Sequence, residues 1–216
     1  MESSLLLLYE SKKADIKKRL EDFRNVWLKS NDRELFAELA FCLCTPQSKA
    51  SASELAIKRA SSTNILFVGR PEDIEPYLTQ TGVRFAKHKS NYIAEAREYF
   101  RKNGEIKIKQ KLNTEDILGL RNWLAENIKG LGMKEASHFL RNIGFGKDVA
   151  ILDRHILRSL VKYKVIPEVP KTISKQKYLE IEHKVREFSK QANIPLDALD
   201  MVFWSEYGSL PIEQMK

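Results

Sequence analysis

A lysine and an aspartate, nineteen residues apart, are the two residues in this chain whose types and spacing could support covalent chemistry. Lys134 follows the turn Gly130-Leu131-Gly132, and Asp153 lies in the segment Ile151-Leu152-Asp153-Arg154-His155. Only a neutral amine can act as a nucleophile, and a free lysine has a pKa of about 10.4. A helix N-terminus, a neighbouring cation such as Lys129 and partial burial all disfavour the ammonium. The pair therefore indicates a lysine nucleophile assisted by a carboxylate.

The residues before Lys134 have the pattern of a helix–hairpin–helix. Apolar residues at helical spacing lie on both sides of the two glycines: Ile117, Leu120, Leu124 and Ile128 before the turn, and Ala136, Phe139, Leu140 and Ile143 after it. Gly130 and Gly132 let backbone amides approach a phosphate, and the second helix directs its positive end to the same place. We therefore expect Lys129, Gly130 and Gly132 to bind DNA.

Gly130 to Asp153 resemble the base-excision DNA glycosylases of the helix–hairpin–helix superfamily, in which a Gly-x-Gly-x-Lys hairpin supplies the nucleophile and a downstream aspartate completes the site. The chain differs from the commonest hairpin in having Lys129 where a proline usually precedes the first glycine. With its short length and final Lys216, it is most similar to the small archaeal-type 8-oxoguanine DNA glycosylase/lyases. The resemblance implies excision of 8-oxoguanine through a lysine Schiff base, followed by β-elimination at the abasic site.

Each residue of the central pair also has a purely structural alternative. Lys134 could only pair with a phosphate, and Asp153 could only cap the helix that begins near His155. In the catalytic interpretation, Asp153 helps to activate Lys134 and stabilises the positive charge that develops on the sugar as the glycosidic bond breaks.

The resemblance implies further site residues. Gln47, in Thr45-Pro46-Gln47-Ser48, would enter the gap left by a flipped nucleotide, and Phe85 would insert beside the opposite base. A polar turn residue and a core phenylalanine are the alternatives. Lys216 would enter the base pocket, where a carboxylate or carbonyl could accept from N7–H of 8-oxoguanine; a frayed tail is the alternative. A monovalent cation could bind the backbone carbonyls of Glu126, Ile128 and Leu131.

Composition favours a polyanionic partner and a reducing compartment. Lys and Arg total 37 against 29 Asp and Glu, for a net charge of +8. The apolar run Leu5 to Leu8 is too short to span a membrane and has no basic segment before it, so neither a membrane anchor nor a signal peptide is expected. Cys42 and Cys44 lie two apart in an apolar helical run, which predicts buried thiols and an intracellular protein, cytoplasmic or associated with the nucleoid.

No cofactor is expected. Relatives resembling endonuclease III hold an iron–sulfur cluster with four cysteines near the C-terminus, whereas residues 160–216 contain no cysteine. The expected partner is double-stranded DNA containing 8-oxoguanine, bound by a monomer.

The predicted fold is all-α, with two helical subdomains, a helix–hairpin–helix motif and an interdomain active-site cleft between Lys134 and Asp153. Residues 31–145 would form a six-helix barrel-like subdomain ending in the hairpin, and residues 1–30 plus 146–216 would form the second. The helical patterns include residues 35–43, 53–59, 72–78, 88–100, 149–163, 175–191 and 196–207.

Three other functions fit parts of the sequence. A glycosylase/lyase for oxidised pyrimidines would share the architecture, but the missing cluster cysteines and the final Lys216 argue against it. An adenine glycosylase would lack the hairpin lysine. A non-catalytic helix–hairpin–helix DNA-binding module would need no lysine and aspartate pair.

Overall fold

The protein is built almost entirely from α-helices, which confirms the predicted fold class. The computed structural model describes residues 2–207 and residue 212 of the chain. The helices of this part are α1 (Glu2–Lys29), α2 (Asp32–Cys44), α3 (Ala50–Ser62), α4 (Ile65–Val68), α5 (Pro71–Gln80), α6 (Ala86–Phe100), α7 (Ile108–Lys111), α8 (Ile117–Asn127), α9 (Met133–Asn142), α10 (Arg154–Lys162), α11 (Lys175–Ala192) and α12 (Leu196–Tyr207), with a 3-10 helix at Gly146–Asp148.

Contacts between residues divide the chain into two compact units, one comprising residues 27–139 and the other residues 1–26 with 140–216. The boundaries proposed from the sequence lay in loops, after residues 30 and 145. The observed divisions instead fall inside the continuous helices α1 and α9. A hydrophobic pattern shows where a helix ends, but it does not show which part of a long helix packs with which unit.

Helix α2 forms the centre of the unit 27–139. Asn31 begins it with a capping box, in which the Asn31 side chain accepts from the Glu34 amide at 3.0 Å and the Glu34 carboxylate accepts from the Asn31 amide at 2.8 Å. Its last residues include Cys42 and Cys44, both fully buried and reduced. Burial raises the pKa of the Cys44 thiol to about 12. The prediction of two buried thiols is therefore confirmed.

A short β-hairpin interrupts the helices, contrary to the expectation of helices alone. Strand β1 (Arg101–Lys102) pairs antiparallel with β2 (Glu105–Ile106). Asn103 and Gly104 join them with φ angles of 53° and 82°, the positive values that a tight two-residue hairpin turn requires. Strands of two residues are too short to produce a visible alternation of apolar and polar residues.

The predicted helix over residues 149–163 is wrong at its beginning, because α10 begins only at Arg154. Asp153 is extended, with φ −84° and ψ 177°, and its side chain caps the helix by accepting from the Ile156 amide at 2.8 Å. The apolar residues before it resemble a helical face in sequence, but they form an extended segment.

Side chains of α11 hold that extended segment in place. The Ala150 amide donates to Glu182 Oε1 at 2.9 Å, and the Leu152 amide donates to the Tyr178 hydroxyl at 3.3 Å. The same hydroxyl donates to the Ala150 carbonyl at 2.5 Å. These bonds satisfy buried backbone groups that a helix would otherwise pair, and they fix the backbone that leads into Asp153.

Aromatic packing forms much of the core around α10, α11 and α12. The rings of Tyr163 and Phe203 stack with centroids 5.5 Å apart, and Phe188 lies 6.4 Å from Phe203.

Among the described residues, no helix has the length and apolar character needed to cross a membrane.

Candidate active site

The hairpin between α8 and α9 places Lys134 in the first turn of α9, as predicted. The Leu131 amide donates to the Ile128 carbonyl at 3.0 Å and closes the turn, and both side chains are buried. The Ala136 amide donates to the Gly132 carbonyl at 2.9 Å, which begins the hydrogen bonding of α9. The first amides of a helix lack partners within that helix, so this end of α9 can accept an anion.

The two hairpin glycines are required for different reasons. Gly130 has a φ of 93°, and a Cβ atom there would lie 2.4 Å from Cδ2 of Tyr92. A Cβ atom on Gly132 would meet only the flexible Glu135 carboxylate, at 3.1 Å. Gly130 is therefore needed for the backbone conformation and for close packing, whereas Gly132 leaves the backbone accessible at the start of the helix.

Lys134 is partly buried and forms an ion pair with its neighbour in the chain. Its Nζ lies 3.2 Å from Glu135 Oε1, and the two side chains are 28% and 14% exposed. As the predicted nucleophile, Lys134 would have to exchange this partner for the substrate. Glu135 was not identified as a site residue from the sequence, because a glutamate in the first turn of a helix is common for dipole reasons alone.

Lys129 projects from the same hairpin into solvent. Its Nζ lies 3.2 Å from Glu95 Oε1 and 5.6 Å from the centre of the Tyr92 ring, and its side chain is 64% exposed. An exposed ammonium beside the beginning of α9 can contact a phosphate, and the role of Lys129 in binding DNA stays a prediction.

The structure brings the turns that carry Gln47 and Phe85 together. Gln47 is exposed with a φ of 55°, and Phe85 is 50% exposed with a φ of 60° immediately before α6. The Arg84 amide donates to Ser48 Oγ at 2.9 Å, which joins the two turns directly. The alternative of a core phenylalanine at position 85 is therefore wrong.

Asp153 lies in the other unit, where both oxygens of its carboxylate accept hydrogen bonds. Oδ1 accepts from the Ile156 amide at 2.8 Å, and Oδ2 accepts from the Trp204 indole at 3.2 Å. The ring of His155 lies 5.6 Å from that of Trp204. Asp153 is thus a helix cap whose second oxygen is also fixed. Trp204 could not be assigned to this role from the sequence, because it lies 51 residues from Asp153.

A second carboxylate with little exposure to solvent lies in the same unit. Asp200 Oδ2 is 3.8 Å from Nη1 of Arg141, and the side chains of Arg141 and Asp200 are 6% and 12% exposed. Burial raises the pKa of Asp200 to about 6; the Arg141 charge opposes that shift, and the charges of Asp153 and Asp197 add to it. Asp200 is therefore a titratable group that the charge of Asp153 influences.

The roles of all the predicted site residues remain predictions, and two of the predicted features have little or no structural description. Lys216 lies outside the described residues. Of the three carbonyls proposed for a monovalent cation, those of Glu126, Ile128 and Leu131, the Ile128 carbonyl accepts the Leu131 amide. Within residues 2–207 and 212, no group of three or more His, Cys, Asp or Glu side chains could hold a metal ion.

Known proteins resemble this chain over most of its length. The family model described as 8-oxoguanine DNA glycosylase matches residues 16–194. The 8-oxoguanine DNA glycosylase/AP lyase of Fusobacterium nucleatum is 43% identical over 198 residues, covering 91% of this chain and 90% of the relative. The protein of the same name from Methanocaldococcus jannaschii is 42% identical over 200 residues, covering 90% and 92%.

Solved structures match the fold. The crystal structure of the M. jannaschii 8-oxoguanine DNA glycosylase superposes with a TM-score of 0.85 at 36% identity, covering 97% of this chain and 94% of that one. The M. jannaschii 8-oxoguanine glycosylase/lyase in complex with a 15mer DNA containing 8-oxoguanine gives a TM-score of 0.84 at 35% identity, covering 96% and 100%. With its glycine hairpin and Lys134 at the start of α9, the chain belongs to the 8-oxoguanine DNA glycosylase family of helix–hairpin–helix proteins.

Proposed function

We propose that this protein excises 8-oxoguanine from double-stranded DNA and then nicks the strand at the abasic site. The observation that carries the proposal is the partly buried Lys134 amine in the first turn of α9, directly after the glycine hairpin. Further support comes from two relatives of this chain, from F. nucleatum and M. jannaschii, which are both named 8-oxoguanine DNA glycosylase/AP lyase. The net charge of +8 suits a DNA substrate.

Lys134 is the proposed nucleophile. After losing a proton, its Nζ forms a bond to C1′ of the damaged nucleotide while the bond from C1′ to the base breaks, and the departing base takes up a proton. The C1′–O4′ bond of the sugar then breaks as O4′ takes up a proton, which gives a protonated Schiff base between Lys134 and C1′. Loss of a proton from C2′ then expels the 3′ phosphate by β-elimination, which nicks the strand.

Asp153 is the proposed electrostatic partner. Positive charge develops on the sugar as the base departs, and a fixed carboxylate stabilises it without having to reorganise. The hydrogen bonds from Ile156 and Trp204 hold both carboxylate oxygens in place. Asp153 therefore enters the reaction with its orientation already set.

The remaining residues are proposed to bind and distort the DNA. Lys129 and the backbone at Gly130 and Gly132 would hold a phosphate beside the hairpin. Gln47 would occupy the gap left by the flipped nucleotide, and Phe85 would insert beside the opposite base, since an exposed ring can replace lost stacking. A single copy is proposed to act, because one chain supplies all of these groups, and it would act where the DNA lies, in the cytoplasm or nucleoid.

Borohydride trapping tests the proposal directly. The purified protein is incubated with duplexes that carry one 8-oxoguanine opposite each of the four bases, with an undamaged duplex and with a duplex carrying thymine glycol. A covalent complex and a nicked strand are expected with 8-oxoguanine only. Trapping on thymine glycol alone would assign the protein to oxidised pyrimidines, and binding without any trapping would make it a non-catalytic module.

A further inference from the structure

Lys89 is a buried lysine that the proposed chemistry does not use. It lies on α6 and is only 4% exposed. Its Nζ donates to the carbonyls of Cys44 and Pro46, both at 2.7 Å, and to Ser48 Oγ at 3.0 Å. An ammonium has three donors, and these three oxygens engage all of them. Lys89 therefore has no proton or lone pair available for a substrate.

The burial of this charge has a cost that packing alone would not require. Burial is the main cause that lowers the pKa of Lys89; Cys44 and Glu135 oppose the shift, and the charges of Arg84 and Lys134 add to it. An apolar side chain of similar length would fill the same space without desolvating an ammonium. The charge of Lys89 therefore serves to hold the carbonyl and hydroxyl oxygens to which it donates.

Those groups belong to the turn that carries Gln47. Cys44 ends α2, and Pro46 and Ser48 flank Gln47 on either side, so the ammonium binds the turn at three points. Gln47 is a non-glycine residue in the left-handed region, with a φ of 55°. A backbone conformation of this kind persists only where the surrounding structure enforces it.

Ser48 extends the network to the second turn. Its Oγ accepts from Lys89 Nζ and also from the Arg84 amide at 2.9 Å. Arg84 directly precedes Phe85, which is exposed and has a φ of 60°. The Ser48 hydroxyl therefore connects the turn that carries Gln47 with the turn that carries Phe85.

We propose that Lys89 and Ser48 are positioning residues that clamp the turns 45–48 and 82–85 together, so that Gln47 and Phe85 meet the DNA as one preformed unit. This inference rests on the proposed function for the identity of the DNA lesion. The clamp itself is a property of the protein and can be tested without DNA. Preforming two left-handed residues before binding removes the need to order them during base flipping.

Hydrogen exchange tests the clamp in the DNA-free protein. Ser48→Ala removes the acceptor of the Arg84 amide, and Lys89→Met removes the ammonium while keeping a long side chain. Both variants should raise amide exchange in residues 82–86 by about tenfold or more, and Lys89→Met should do the same in residues 45–48. Ser90→Ala is the matched control, because the Ser90 hydroxyl is also buried on α6 but donates to the Lys87 carbonyl, outside the clamp.

A double-mutant cycle tests the consequence for catalysis. Ser48→Ala should slow single-turnover excision of 8-oxoguanine opposite cytosine by roughly tenfold, and this effect should shrink to less than about threefold when Phe85 is already alanine. Ser48→Thr keeps a hydroxyl and should retain the wild-type rate within about twofold. A single-stranded abasic oligonucleotide has no opposite base, so borohydride trapping on it should be unchanged in Ser48→Ala and Ser48→Thr, which remove no charge.

The outcomes separate the clamp from the proposed function. Unchanged exchange in both turns would overturn the clamp whatever the protein does to DNA. Equal losses on single-stranded and duplex substrates, or an effect of Ser48→Ala that is the same with and without Phe85, would reduce both residues to general stability and also overturn it. If the Ser48 and Lys89 variants exchange faster in these turns but the wild-type protein traps no DNA, the clamp is supported and the proposed function is refuted.

Discussion

The Trp204 indole and the N-terminus of α10 together fix both oxygens of Asp153. Trp204 Nε1 donates to Oδ2 at 3.2 Å, and the Ile156 amide donates to Oδ1 at 2.8 Å. Capping and the proposed catalysis therefore use the same carboxylate, and the two roles can be separated by substitutions that keep one and remove the other.

Asp153→Asn should keep the helix cap and lose the charge. Asparagine is as good an N-cap as aspartate, so the thermal unfolding midpoint should stay near that of the wild type. Single-turnover excision should slow by roughly 10²-fold or more, on the scale of lost electrostatic catalysis. Asp153→Ala is the companion variant and should also lose about 1 kcal/mol of stability through the cap. A wild-type excision rate in Asp153→Asn would show that the residue is only a cap.

Trp204→Phe should show how much the orientation of Asp153 contributes. The change keeps an aromatic ring beside His155 but removes the indole donor to Oδ2. Excision should slow by about tenfold, because one hydrogen bond of ordinary strength no longer fixes the carboxylate. Trp123→Phe is the matched control, since Trp123 packs on Tyr99 and Phe100. Equal rate losses in the two variants would argue against a specific role for Trp204.

Lys134→Gln should abolish both excision and the borohydride-trapped complex. Binding to lesion DNA should stay within about tenfold of the wild type, because phosphate contacts elsewhere contribute most of the affinity. Lys129→Gln, on the same hairpin, should still be trapped and should instead weaken binding with a smaller salt dependence. Continued trapping in Lys134→Gln would remove this residue from the role of nucleophile.

Gly130→Ala should destabilise the hairpin, whereas Gly132→Ala should have a smaller effect. The first substitution combines a positive φ with a clash against Tyr92, and a loss of about 1–3 kcal/mol is expected in urea unfolding. The second only displaces the flexible Glu135 carboxylate. Similar losses in the two variants would contradict the distinct roles assigned to these glycines.

Asp200→Asn should change the pH dependence of stability. Burial raises the pKa of Asp200 to about 6 from its ordinary 3.8, so the folded protein holds this proton more tightly than the unfolded chain does. Its contribution to the free energy of unfolding is therefore present below pH 4 and is lost as the pH rises through 6. Relative to the wild type, Asp200→Asn should gain up to about 3 kcal/mol between pH 4 and pH 7. A pH-independent difference in urea unfolding would contradict the shift.

The sequence predicted the parts of the site that local pattern determines. The hairpin turn, the place of Lys134 at the start of α9 and the cap at Asp153 all follow from residues within a few positions of one another. The beginning of α10 was misplaced because Tyr178 and Glu182, far along the chain, satisfy the backbone before Asp153. The roles of Trp204 and Lys89 could not be predicted for the same reason, because their hydrogen-bond partners lie 51 and 41–45 positions away in the sequence.

The two cysteines of α2 have a consequence for an enzyme with the proposed activity. 8-Oxoguanine is a product of oxidation, so its repair is needed when oxidants are abundant, and those oxidants react with thiolates that they can reach. Cys42 and Cys44 are fully buried, and burial keeps the Cys44 thiol protonated far above neutral pH. The fold thus shields both thiols of an enzyme whose proposed substrate forms under oxidative stress.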